Sequence, residues 1–487
     1  MIIKRSLPLF LLFIAGALCA APQSSPKDDK CYSCHLEIGD KHATGFQKDV
    51  HFAKGISCAG CHGGDSKIED QDGGMDRAKG YMGKPTKGQI AQMCGKCHGN
   101  EAAMKKYGVT TTTNEIDDFK QSIHAKTASE SNGVQCISCH GVHGILGKND
   151  PASPVYPTNV PTTCAKCHSD INYMHLFNPS LPTDQLEKYR TSVHGKNNAH
   201  GDTKVATCAS CHSNHRILHT KDPGALVYPS NVPGMCSNCH SDAKYMSSYH
   251  IPTDQFDKYR QSVHGQALLT KGDISAPACN SCHGNHGAAP PGTNSVANIC
   301  GTCHAFNADL FNKSVHKAAF DKKGLPECVV CHSNHLIRPP SDTLIGTAVG
   351  TLCGRCHNGA NDAAGPKILK IRATLDSLNL GSIHAEAMLA NAEQLGMDVT
   401  DARYSLKDLN QSLVQARVQL HTFDAPPVEE AAAPGLTIVA NAQKAAVSAV
   451  DEFHFRRYGL GFATLVISAL ALALYLKIRS IERKNLS

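Results

Sequence analysis

Tryptophan is absent from the 487 residues, and there are only 14 phenylalanines and 13 tyrosines. Apolar residues make up 41% of the chain with the cysteines counted in, which is thin for the two or three cores this length normally builds. Something other than side chains must fill the interior. Charge of one sign is also scarce. Of the net +6, Lys4 and Arg5 contribute +2 and the group Lys477, Arg479, Glu482, Arg483 and Lys484 contributes +3, leaving +1 between them. That balance gives no support to a nucleic-acid partner. Long uncharged runs occur only near the two ends, which excludes a multi-span transporter. The composition also excludes a disordered chain and a collagen-like fibre.

The ends give an address. Residues 1–21 read as a signal peptide, with Lys4 and Arg5 as the basic start, Leu7–Leu18 as the apolar stretch and small residues at the cleavage zone. Tyr458–Leu476 is 19 residues without a charge, long enough to span a bilayer as a helix. The basic residues after it predict a cytoplasmic tail over 477–487. The body between is expected on the exported side of a single-pass anchor in the bilayer.

Cysteine is abundant and ordered. Apart from Cys19, every cysteine falls in a C-x-x-C-H pattern. The eleven copies are Cys31, Cys34 and His35; Cys58, Cys61 and His62; Cys94, Cys97 and His98; Cys136, Cys139 and His140; Cys164, Cys167 and His168; Cys208, Cys211 and His212; Cys236, Cys239 and His240; Cys279, Cys282 and His283; Cys300, Cys303 and His304; Cys328, Cys331 and His332; and Cys353, Cys356 and His357. Two thiols at this spacing add to the two vinyl groups of one haem, and the adjacent histidine gives its imidazole to iron. Zinc sites need no histidine after every pair, and a dithiol redox pair is not repeated eleven times. The pattern predicts eleven covalent haem c groups.

Over residues 31–357 the chain resembles the multihaem c-type cytochromes. The resemblance implies maturation in the periplasm, iron held mostly between paired histidines, and long-range electron transfer. It also implies a mostly irregular and α-helical fold in which the macrocycles supply the missing core.

The motifs recur as a two-haem unit: a histidine, a C-x-x-C-H, usually a second histidine three residues on, then another C-x-x-C-H. PTDQLEKYRTSVHG, with its histidine at His194, returns 70 residues later as PTDQFDKYRQSVHG, with His264. VYPTNVP before Cys164 returns as VYPSNVP before Cys236. Such repetition predicts stacked units and an elongated body. It also labels the second iron ligands. His51, His124, His194, His264 and His316 lead the units, four of them after Ser-Ile or Ser-Val, and His384 follows another Ser-Ile. His143, His215, His286 and His335 are the histidines three residues past a motif, and His42 completes eleven. His421 is the alternative to His42 or His384. The register breaks once, at Asp65, which stands three residues past His62. If any iron is open, this break predicts it at His62 or His98.

After residue 360 the composition changes. Ile368, Ile371, Leu375 and Leu378, then Leu406, Leu409, Leu413, Ala416 and Leu420, keep a helical spacing. Gly381 and Gly396 read as breaks, and Thr400 as a cap. The expected organisation is a signal peptide (1–21), a multihaem domain (22–360), a helical segment (361–425), a juxtamembrane linker (426–457), a membrane helix (458–476) and a tail (477–487). The expected function is electron carriage at the inner membrane, from quinol or a quinol-oxidising partner to other cytochromes. The span itself contains no histidine for a b-type haem, so a second membrane subunit is expected as the quinol-oxidising partner. The rival readings are a haem reductase of a small nitrogen compound or oxyanion, and a subunit of a conductive cytochrome assembly.

Overall fold

A computed structural model describes residues 28–109, 113–126, 133–291, 296–359 and 362–485. The expected signal peptide lies outside them. The described residues contain helices, turns and irregular chain, and no strand. The chain forms two compact units, Met1–Tyr245 with Pro277–Ala289, and Met246–Ala276 with Pro290–Ser487.

In both units the haem motifs shape the local structure. Residues three apart share a helix face, so one helical turn turns both thiols to the same side. Two forms of this turn occur. In the short form the helix is only the motif: Cys58–His62, Cys136–His140, Cys208–His212, Cys279–His283 and Cys328–His332. Each stops because the next residue is left-handed: Gly63, Gly141, Ser213, Gly284 and Ser333 have φ between 65° and 85°. In the long form the motif ends a helix begun several residues earlier, as in Lys87–His98, Val160–His168 and Val232–His240. The repeated NVP sequence explains the last two. Pro161 and Pro233 sit in the first turn, where a missing N–H is harmless. Asn159 and Asn231 each donate two side-chain hydrogen bonds of 2.8–2.9 Å to carbonyls of the preceding loop.

The second unit also contains the tail. Gly365–Gln394 is a helix of 30 residues, and Thr400–Ser405 and Leu409–Gln419 lead to a helix of 61 residues, Ala425–Asn485. Leu375, Leu378, Leu389 and Val428 are completely buried where these helices meet, and each contributes about 1.5–3 kcal/mol by burial. Two expectations change here. Gly381 does not break its helix; a Cβ there would stand 2.9 Å from Val439 Cγ1, so glycine serves close helix approach. Residues 426–457 are not a linker but part of the 61-residue helix. Pro426 and Pro427 fall in its first turn, where proline is tolerated, and Pro434 is carried inside it. The apolar run lies on the same helix, which is long and apolar enough to cross a membrane.

Candidate haem-attachment sites

The histidines that the repeat singles out come together in pairs. Three of the short-form motifs face the histidine three residues past the next short-form motif. His62 lies 5.8 Å from His143, His140 6.1 Å from His215, and His212 6.1 Å from His286, ring centre to ring centre. These rings are within 18° of parallel. The long-form motifs, with the motifs of Cys300 and Cys353, instead face the leading histidine of their own unit. The pairs are His98 with His51, His168 with His124, His240 with His194, His304 with His264, and His357 with His316, at 6.0–6.2 Å and with tilted rings.

This spacing tests whether the residues fit the cofactor. Two iron–nitrogen bonds of about 2 Å, plus roughly 1.1 Å from each nitrogen to its ring centre, place two axial imidazoles about 6 Å apart. The observed pairs match. Burial also keeps the rings in the form that binds iron. In the cofactor-free chain, burial and then the neighbouring His168 hold His124 down to about 4, so its imidazole is neutral at ordinary pH. Burial lowers His98, His140, His168, His194 and His212 in the same way.

A backbone stitch sets the register. The residue before four of the five leading histidines donates its N–H to the carbonyl two residues past the later histidine. The four bonds are Val50 to Ile145 (2.8 Å), Ile123 to Ile217 (2.8 Å), Val193 to Ala288 (3.1 Å) and Val263 to Ile337 (2.9 Å). The recurrent Ser-Val-His-Gly follows from this. Ser192 and Ser262 are extended, and their hydroxyls cap the new helix by accepting from Gly195 and Gly265 at 2.8 and 3.0 Å. A Cβ on either glycine would lie 1.9–2.0 Å from the carbonyl of Tyr189 or Tyr259.

Several of the Nδ1 atoms are held separately, which fixes the tautomer and leaves Nε2 for metal. His62 Nδ1 lies 2.8 Å from the Gly83 carbonyl, and His283 Nδ1 3.2 Å from that of Ala289. His51 Nδ1 is 2.8 Å from Asp49, whose other oxygen accepts from the N–H groups of Gly144 and Ile145. The first and last motifs each use a carboxylate five residues on: His35 with Asp40 and His357 with Asp362, both at 2.9 Å.

Comparison with known proteins agrees with this geometry. Residues 50–169, which hold four of the motifs, match the family model of cytochrome c3. This chain carries a multihaem c-type cytochrome domain. It is 28% identical over 165 residues to the C-type polyheme cytochrome OmcC of Geobacter sulfurreducens, a match covering 29% of this chain and 20% of that protein. No solved structure matches it. The cytochrome domain binds haem c covalently and belongs to the electron-transfer proteins.

The cytochrome's attachment points also meet one another. Electrostatic coupling links the first cysteines of successive motifs at Cys94 and Cys136, Cys164 and Cys208, Cys236 and Cys279, and Cys300 and Cys328. At the other junctions the second cysteine couples to both cysteines of the next motif: Cys61 to Cys94 and Cys97, Cys139 to Cys164 and Cys167, Cys211 to Cys236 and Cys239, and Cys331 to Cys353 and Cys356. Cys31 and Cys58 are neighbours in the same sense.

Three placements differ from what the repeat suggests. His384 sits inside the helix Gly365–Gln394, exposed, with Nδ1 3.5 Å from Gln443. Its Ser-Ile-His lacks the extended serine that turns the other leading histidines inward. His421 instead faces His332 at 6.2 Å, within 18° of parallel, with Nδ1 2.9 Å from the Val418 carbonyl. His42 shares Asp40 with His35 and lies edge-on to His143 at 4.8 Å. Nothing in the repeat marks His421. The two carboxylates, by contrast, are visible on aligning the first and last motifs.

Proposed function

We propose that this cytochrome is an eleven-haem electron conduit, held at the cytoplasmic membrane by residues 458–476 with its haem-bearing region in the periplasm. It takes electrons from quinol or a quinol-oxidising membrane partner and delivers them to periplasmic or outer-membrane cytochromes. The observation that carries this reading is the file of opposed histidine rings at one common spacing, recurring from motif to motif along the sequence. An enzyme needs one elaborated site; a conduit needs many attachment points in file. Bound haem supplies the one-electron chemistry. The chain's own work is to hold neutral imidazoles in opposed pairs and to keep successive attachment points adjacent. In this assignment His421 takes the role expected of His384. Opposed histidines lack the rise in potential that methionine brings, so the conduit works at low potential.

The test uses detergent-extracted full-length protein. Mass of the mature chain and a pyridine haemochrome assay should give eleven haems, and a low-potential reductant should reduce all of them in one rapid phase. Fewer than ten haems in well-matured protein, or a large fraction reduced only slowly, overturns the reading. In membranes, a quinol should reduce the cytochrome only when its partner is present; reduction by quinol in reconstituted vesicles holding the cytochrome alone would remove the partner.

A further inference from the structure

The first motif stands apart from the others. All 28 histidines fall within the described residues, and none has its ring opposite His35 at the spacing that marks the other pairs. Each source of a second histidine fails there. The leading histidines lie before the motifs they face, and residues 1–34 hold no histidine. The position three past a short-form motif, which supplies His143, His215 and His286, is Asp65 in the motif that follows Cys31. Asp65 stays near the first motif, where its charge adds to burial and to Asp29 in raising the Cys31 thiol. Its side chain is held by the N–H of Lys67 at 3.1 Å and by Lys79 at 3.6 Å.

His42, the histidine closest in sequence, is turned away. Its Nδ1 and that of His35 bind the two oxygens of one carboxylate, Asp40, each at 2.9 Å. In imidazole the Nε2 direction lies roughly opposite to the Nδ1 direction. Two rings aiming Nδ1 at one carboxylate therefore send their Nε2 atoms apart, and they do not converge on one metal. The surroundings are open: side-chain exposure is 43% at His35 and 55% at His42, and Cys34 is exposed.

We propose that the iron carried by Cys31, Cys34 and His35 has one coordination position without a protein ligand, open to water and to small uncharged diatomic ligands such as carbon monoxide. This moves the open position predicted from Asp65 back by one motif: His62 and His98 have opposed histidines, and His35 does not. Asp40 on the Nδ1 of His35 makes that imidazole a stronger donor, which favours a ligand that accepts electron density from iron. The proposal rests on the haem complement proposed above.

The test is a carbon monoxide titration of the reduced, full-length holoprotein, with electron paramagnetic resonance of the oxidised form. The expected result is one equivalent bound per chain and one high-spin ferric iron. Eleven haems with no high-spin iron and no binding overturn this inference while leaving the conduit standing. A count below eleven overturns the proposed complement, yet high-spin iron traced to the haem peptide of residues 31–35 still supports the open position. Replacing both Cys31→Ala and Cys34→Ala should remove the bound equivalent in protein that keeps ten haems; binding that survives overturns the assignment. In H42G the number of low-spin irons should not fall; the loss of one would make His42 a ligand and overturn it too.

Discussion

In the tail, Leu375, Leu378, Ala385, Leu389, Ala392 and Val428 have no exposed surface, and they lie on helices of 30 and 61 residues. In the first compact unit the buried apolar side chains are scattered, as with Ile90, Met174, Val205 and Val232, and Tyr32, Ala43 and Phe46 form its one hydrophobic cluster among the described residues. Its buried polar groups include Asp49, Ser122 and Ser192, which flank the stitch. Both regions are helical, but the tail is held by aliphatic packing between long helices. The haem-bearing stretches are held by backbone hydrogen bonds, with ring pairs spaced to take a cofactor between them.

The largest test of this contrast is removal of the cofactor. A chain made without haem attachment should lose protease resistance throughout the motif-bearing segments, while a fragment containing 365–450 persists, as read by mass spectrometry of a limited digest. Equal survival of both regions would abolish the contrast. Next in size is Leu378→Ala, which should destabilise the tail by about 2–5 kcal/mol and leave the visible haem spectrum unchanged. Thermal unfolding followed in parallel by circular dichroism and haem absorbance separates the two. A third variant joins the regions. His421→Ala should convert one low-spin iron per chain to high spin, whereas His384→Ala should convert none; the opposite result would restore the expectation drawn from Ser-Ile-His. The smallest effect concerns the carboxylate on the last motif. Asp362→Asn makes the His357 imidazole a weaker donor, so the potential of one haem should rise by tens of millivolts in a spectroelectrochemical titration, with the others unmoved.

Much of the site was legible because haem attachment is a local pattern. The motif helices, the repeated PTDQ and NVP segments and the two classes of opposed histidine all follow from residues at fixed spacing. What the sequence does not display is which class serves which motif. That depends on hydrogen bonds between residues some 95 positions apart, such as Val50 to Ile145, and no local rule records them. His421 shows the limit most clearly. Each short-form motif with a paired ring looks forward to the next one for its histidine, but none follows His332, and the tail supplies the ring from an unrelated helix. Ser382 shows the converse, because the Ser-Ile-His that starts from an extended Ser122 ahead of His124 lies mid-helix there and turns nothing inward. The tail's apolar spacing marked its helices correctly. Its glycine and prolines misled, since close packing at Val439 and a helix start at Ala425 look, in sequence, like interruptions.

The unbroken helix Ala425–Asn485 also sets an altitude. Cys353 packs against the cluster formed by Ala425, Val428, Ala432 and Val439 with the other tail helices. Nineteen further residues separate Val439 from Tyr458, where the uncharged run begins, a climb of about 28 Å along a helix rising ~1.5 Å per residue. The last attachment point thus stands like a lamp on a mast, well clear of the apolar run below. With that run in a bilayer, as proposed above, a redox partner confined to the bilayer does not reach this end. A partner that exchanges electrons here must then rise into the water layer. The mast length would act as a gauge that selects partners of matching height.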